Sequence, residues 1–100
     1  EPELEDYHLN ESGSLTLDEM KVYTLVVNSG QKIVVRTAAP NDIDVYLRMA
    51  LPPTETVYDK RAYTSSGNEI LQFTAGAHGT LYVGVHGYAA STFTMTTADE

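Results

Sequence analysis

The chain contains no cysteine. That absence excludes disulfides, thiolate metal sites and a cysteine nucleophile, and it fits a secreted bacterial domain and a cytosolic one equally. Tryptophan is absent and phenylalanine occurs twice, so the aromatic content rests on seven tyrosines. Basic residues are few: six against 14 acidic ones, for a net charge of -8. Such a surface repels phosphate backbones and argues against a nucleic-acid partner, while it tolerates hard cations such as Ca²⁺. No apolar run reaches the length of a membrane span. The acidic opening Glu1-Pro2-Glu3 is unlike a signal peptide. It reads as the end of a linker, so these residues are expected to be a domain of a longer protein.

What is present suits one small domain. The 100 residues leave no room for a second core, and 42% of them are hydrophobic. A chain of this size buries roughly 60–70% of its unfolded surface. Residues 1–11 read as an N-terminal arm and 12–100 as the folded unit. Lys21–Asn28 and Lys32–Thr37 are rich in β-branched residues and are separated by Asn28-Ser29-Gly30, which predicts a hairpin. Ile43, Val45, Leu47 and Met49 alternate with Asp44, Tyr46 and Arg48, the pattern of a half-buried strand. Pro52-Pro53 ends it.

Val57–Tyr63 reads as a short edge strand. Glu69–Thr74 follows, with Ile70 out of phase with Leu71 and Phe73. In Thr80–Gly87, Leu81, Val83 and Val85 point one way and Tyr82, Gly84 and His86 the other. Thr92–Thr97 places Phe93 and Met95 inward. No stretch keeps helical spacing. About seven or eight short strands with turn signals between them predict an all-β, jelly-roll-like antiparallel β-sandwich.

Chemistry-bearing residues are sparse. Asp42 and Asp44 project from one side of a strand start, as a pair for acid–base work or calcium does. The favoured reading is structural, with Asp42 in an Asx-type bend and Asp44 accepting hydrogen bonds from a loop. Arg48 is expected to pair with Asp44 or Asp59 at a gain of ~0–1 kcal/mol. No Gly-x-Ser-x-Gly elbow and no His-Glu-x-x-His zinc pattern occurs. His8, His78 and His86 are scattered, so no catalytic residue is assigned and the domain is expected not to be an enzyme.

Several pieces in register resemble the bacterial pre-peptidase C-terminal domain. They are Gly13-Ser14-Leu15, Val22–Val27 followed by Ser29-Gly30, and the strand Asn41-Asp42-Ile43-Asp44-Val45-Tyr46-Leu47-Arg48. Pro53-Thr54, Tyr58–Tyr63, Gly67-Asn68-Glu69 and the closing Gly79–Tyr88 follow in family order. The resemblance implies a β-sandwich appended to a secreted protease and located outside the cell or at its surface. Its implied partners are the protease catalytic domain and an extracellular protein or polysaccharide substrate.

Many metalloprotease relatives carry cysteines where this chain has Lys60 and, nearby, Leu71. The bridge they imply, worth ~2–4 kcal/mol, has no counterpart here, and packing of Leu71 with the Lys60 stem is expected to replace it. The similar collagen-binding domains of clostridial collagenases imply a calcium site in the arm, at Glu1, Glu3, Glu5 and Asp6, together with Asp18. Lys21 stands where a second downstream aspartate belongs, so calcium binding by the chain is expected to be weak or absent, and no other cofactor is expected. The same relatives contact collagen through tyrosines at strand ends. The matching positions here are Tyr58, His86 and Tyr88; together with Tyr63 they are the candidate ligand contacts, in keeping with the wet protein surfaces that tyrosine suits. The expected function is that of a non-catalytic accessory domain aiding secretion or maturation and binding substrate. The alternatives are a carbohydrate-binding or adhesive sandwich and a structural spacer.

Overall fold

The computed structural model describes residues 8–100. Eight strands form in chain order: β1 (Asn10–Leu15), β2 (Met20–Val27), β3 (Lys32–Ala38), β4 (Ile43–Met49), β5 (Lys60–Ala62), β6 (Ile70–Thr74), β7 (Gly79–Gly87) and β8 (Ser91–Asp99). They make two four-stranded sheets, ordered β1-β8-β3-β6 and β2-β7-β4-β5, with every pairing antiparallel. The expected all-β sandwich is what the chain forms. Strand β1 begins at Asn10 and Leu9 is already part of the core, so the folded unit starts slightly before residue 12.

Alternating apolar side chains build the space between the sheets. Ile43, Val45 and Leu47 of β4 meet Leu81, Val83 and Val85 of β7, and Ile33, Val35, Phe93 and Met95 face them from the other sheet. Burying each such side chain contributes about 1.5–3 kcal/mol. Leu71 and Phe73 lie on the core side while Ile70 is exposed, as their phase predicts.

The expected hairpin does not form. β2 pairs with β7, whereas β3 lies in the opposite sheet between β6 and β8. The turn at Gly30, with φ 83°, carries the chain from one sheet to the other. Only β4 and β5 are both consecutive and paired. The turn signal marks where the chain reverses; it carries no information about which strand lies alongside. The edge strand expected over Val57–Tyr63 shrinks to Lys60–Ala62.

The second correction concerns the outer face of the sheet holding β4 and β7. Asp44, Tyr46 and His86, all on the outward phase, are buried. The segment 50–59 lies across them. Its Pro53 and the Met20 side chain pack so close to Gly84 that a Cβ there would meet Met20 Sδ at 2.8 Å and Pro53 Cγ at 2.9 Å. Gly84 stands opposite Tyr46 in the strand pair, and its absent side chain leaves room for Met20 and Pro53. Arg48 donates to the Pro52 carbonyl at 3.3 Å, and Asp59 accepts from the Met49 backbone N–H at 2.8 Å. These contacts fold the segment back and take the place of the expected ion pair between Arg48 and Asp44 or Asp59. At the far edge, Lys60 of β5 donates its ammonium to the Gln72 carbonyl of β6. It thereby ties the two sheets in the region where the relatives' bridge is implied.

Candidate functional site

Two close approaches of backbone position the site. Thr37 on β3 exchanges hydrogen bonds with Glu69: its N–H reaches the Glu69 carbonyl at 2.9 Å and its hydroxyl accepts the Glu69 N–H at 3.0 Å. Gly67 lies against the β3–β4 connection. A Cβ there would sit 2.5 Å from the Ala39 carbonyl oxygen and closer still to that of Asn41. Only glycine lets the 64–69 loop come down so far, and the result is that Glu69 is delivered beside Asp42 and Asp44.

Carboxylate oxygens of Asp42, Asp44 and Glu69 lie within 4.8 Å of one another. Asp44 and Glu69 are 7% and 2% exposed. Thr64 donates its hydroxyl to Glu69 Oε1 at 3.0 Å, but Glu69 Oε2 and Asp42 Oδ1 are buried with no hydrogen-bond partner. Among the described residues no donor serves Asp44 either, so the expected Asx-bend and loop-acceptor roles are not what these side chains do. Burial pushes the Asp44 carboxyl above its ordinary range and the Asp42 charge adds to this, while His86 and Arg61 oppose it. Burial likewise raises Glu69, against the Thr64 hydrogen bond and with help from Asp44.

Next to this cluster stands His86, directly across the strand pair from Asp44. The sequence phase puts it outward; the covering segment leaves it 2% exposed. Its Nε2 is 3.2 Å from Glu55 Oε2 and 3.8 Å from Asp18 Oδ1. Neither contact has hydrogen-bond geometry, and both ring nitrogens lack a bonded partner. Asp18 reaches this spot through a left-handed φ of 67° and an N–H bond to the Gly87 carbonyl. The other proposed calcium ligands, Glu1, Glu3, Glu5 and Asp6, lie outside the described residues.

A cleft of about 450 Å³ opens over these groups, bounded by Asp42, Asp44, Tyr46, Glu55, Arg61, Tyr63, Thr64, Ser65, His86 and Tyr88. Three of the four candidate contacts, Tyr63, His86 and Tyr88, therefore share one cavity. Tyr63 and Tyr88 are exposed at its mouth, whereas His86 lies on its floor. The fourth, Tyr58, is half-buried behind the wall, its ring 5.3 Å from that of Tyr46. Arg61 ties the wall together: its guanidinium carbon sits 3.7 Å from the Tyr63 ring centroid and 5.1 Å from that of Tyr58. A larger depression of about 730 Å³ beside Phe93 and Pro40 is lined by no ionisable side chain.

Sequence reasoning missed Glu69, Glu55, Arg61 and Tyr46. For Glu69 a signal exists, since it shares the inward phase of Leu71 and Phe73, where an acid has no ordinary reason to be. Glu55 carries no such mark, because its segment has no periodicity.

Among the described residues no helix is long and apolar enough to cross a membrane. The chain is 32% identical over 73 residues to the neutral protease of Vibrio proteolyticus, a match that spans 72% of this chain and 12% of that protein's length. In fold it is similar to PliG of Aeromonas hydrophila, a periplasmic inhibitor of g-type lysozyme. The TM-score is 0.77 at 16% identity, covering 100% of this chain and 92% of that one. It is similar also to the pre-peptidase C-terminal domain of a Bacillus anthracis collagenase. There the TM-score is 0.71 at 19% identity, covering 91% and 89% of the two chains. Residues 19–87, which hold Asp42, Asp44, Glu69 and His86, match the family model of the bacterial pre-peptidase C-terminal domain, and the chain belongs to that family.

Proposed function

We propose that the chain is a non-catalytic accessory domain of a secreted bacterial protease and binds the enzyme's protein substrate at the mouth of this cleft. The observation that carries the reading is the pair of exposed tyrosines, Tyr63 and Tyr88, at 60% and 65% exposure, which line one cleft with Arg61, whose guanidinium stacks on the Tyr63 ring. Rigid aromatics and arginine supply most of the energy at protein interfaces. Catalysis gains no support from His86: among the described residues no hydroxyl hydrogen-bonds to it, and a general base needs a nucleophile within reach. The similar fold of a lysozyme inhibitor agrees with a protein-binding role but does not select the ligand. A role in secretion or maturation of the attached enzyme belongs to the same proposal.

The test is retention of the purified chain on insoluble collagen, elastin and gelatin, alongside Tyr63→Ala and Tyr88→Ala. Retention that drops about tenfold or more in the variants supports the reading, since interface aromatics cost about 2 kcal/mol or more when truncated. Absence of retention on every protein matrix, together with normal export of a protease lacking the domain, refutes it. Binding on a glycan array instead points to the adhesive alternative.

A further inference from the structure

We propose that Asp42, Asp44 and Glu69 form a calcium site that joins the two sheets at one end of the sandwich. The proposal is independent of substrate binding at the cleft mouth, and its ligands are other residues than those of the N-terminal arm. Three observations meet here. Each of the three side chains has a carboxylate oxygen within 4.8 Å of those of the other two. Oxygen ligands stand about 2.3–2.6 Å from Ca²⁺, so two of them on opposite sides of the ion are about 5 Å apart, and the cluster fits around one ion. Mg²⁺, at about 2.0–2.1 Å, requires a tighter and more regular set.

The second observation is Glu69. It is 98% removed from solvent, reaches into the acidic pair from the opposite sheet, and keeps one oxygen with no hydrogen-bond donor. A buried carboxylate oxygen left this way is costly, and native proteins satisfy such atoms with a partner or an ion. Asp42 Oδ1 is buried in the same state.

The third is the donor set. The cluster offers oxygen only; His86, the nearby nitrogen donor, is not among the three. An all-oxygen anionic set selects a hard cation over zinc. The adjoining cleft admits the waters that complete a calcium shell of six to eight oxygens.

Position gives the ion its role. Asp42 and Asp44 flank the start of β4 in one sheet, and Glu69 immediately precedes β6 in the other. A cation here links sheets that otherwise meet mainly through apolar contact. It also orders the 64–69 loop, next to Tyr63. Because the site exists only in the folded chain, the ion stabilises that state by mass action.

The experiment titrates Ca²⁺ into the EDTA-stripped full chain by calorimetry and follows the thermal midpoint with Ca²⁺, Mg²⁺ and Zn²⁺. The wild type, Asp44→Asn, Glu69→Gln and a chain lacking residues 1–7 are compared. The expected result is one Ca²⁺ per chain and a midpoint raised by several degrees. Affinity falls at least about tenfold in each substitution, because affinity follows ligand charge count, and the truncated chain is unaffected. Direct titration of the wild type decides the matter even where a variant fails to fold. No heat and no midpoint change at millimolar Ca²⁺ overturns the proposal. So does binding that survives both substitutions and disappears with residues 1–7.

Discussion

The outer face of β8 and the outer face of β4 and β7 follow opposite rules. On β8 the pattern is regular: Phe93, Met95 and Thr97 are buried, while Thr92, Thr94 and Thr96 are exposed. On β4 and β7 the outward residues Asp44, Tyr46, Gly84 and His86 are buried as well as the inward ones. Strand geometry is the same in both sheets; a covering segment makes the difference. Where 50–59 lies across the sheet, polar side chains lose their water without gaining partners, and the titratable groups collect there. On β8 exposed threonines occupy the outward positions.

The largest expected effect separates the faces directly. Tyr46→Ala removes a buried ring in contact with Tyr58 and is expected to cost about 3–5 kcal/mol in urea unfolding, as for other buried aromatics. Thr94→Val at the corresponding outward position of the open sheet is expected to stay within about 0.5 kcal/mol of wild type. Comparable losses at both positions would erase the distinction drawn here. Gly67→Ala comes next, at about 1–3 kcal/mol, because the new methyl meets backbone carbonyls that have little room to yield. A fully stable Gly67→Ala chain would show that the loop does not depend on that approach.

A pH series without divalent ions sharpens the comparison further. Asp44 and Glu69 both have raised proton affinity in the folded chain. Their penalty is therefore fully present above the folded values and disappears as pH falls toward the ordinary carboxylate range near about 4. Wild type is expected to gain stability on acidification relative to an Asp44→Asn, Glu69→Gln double variant. Carboxyls such as Asp99, lowered mainly by the Gln31 hydrogen bond, act in the opposite sense but cancel in that difference. A constant gap between the two chains from pH 7 to pH 4 would contradict this assignment. The smallest effect belongs to Lys60→Ala on the exposed edge, about 1 kcal/mol or less. It is read as a modest drop in thermal midpoint, and a loss of several kcal/mol would make the Lys60–Gln72 tie the true substitute for the relatives' bridge.

The inward phases of β4, β7 and β8 were legible because a period of two in apolar residues reports a face directly. The candidate site was legible only in part. Tyr63 and Tyr88 stand at the mouth of one cleft, but Tyr58 lies behind its wall and His86 on its floor. Arg48 holds a loop carbonyl where an ion pair was expected. Glu69 was readable in principle, as an acid in an inward register. Glu55 was not, because its place over His86 depends on how an aperiodic segment folds back.

Composition and alternation, taken alone, determined that this chain is a small acidic β-sandwich with an apolar interior and no thiol chemistry. They act through local backbone geometry, which every stretch of sequence carries within itself. Strand partners were decided elsewhere: nearly every connection crosses from one sheet to the other, so neighbours such as β2 and β7 are far apart in the chain. The meeting of Asp42, Asp44 and Glu69 has the same origin. It requires two sheets to stack and one glycine loop to close against a distant turn, and only the assembled tertiary structure brings those together.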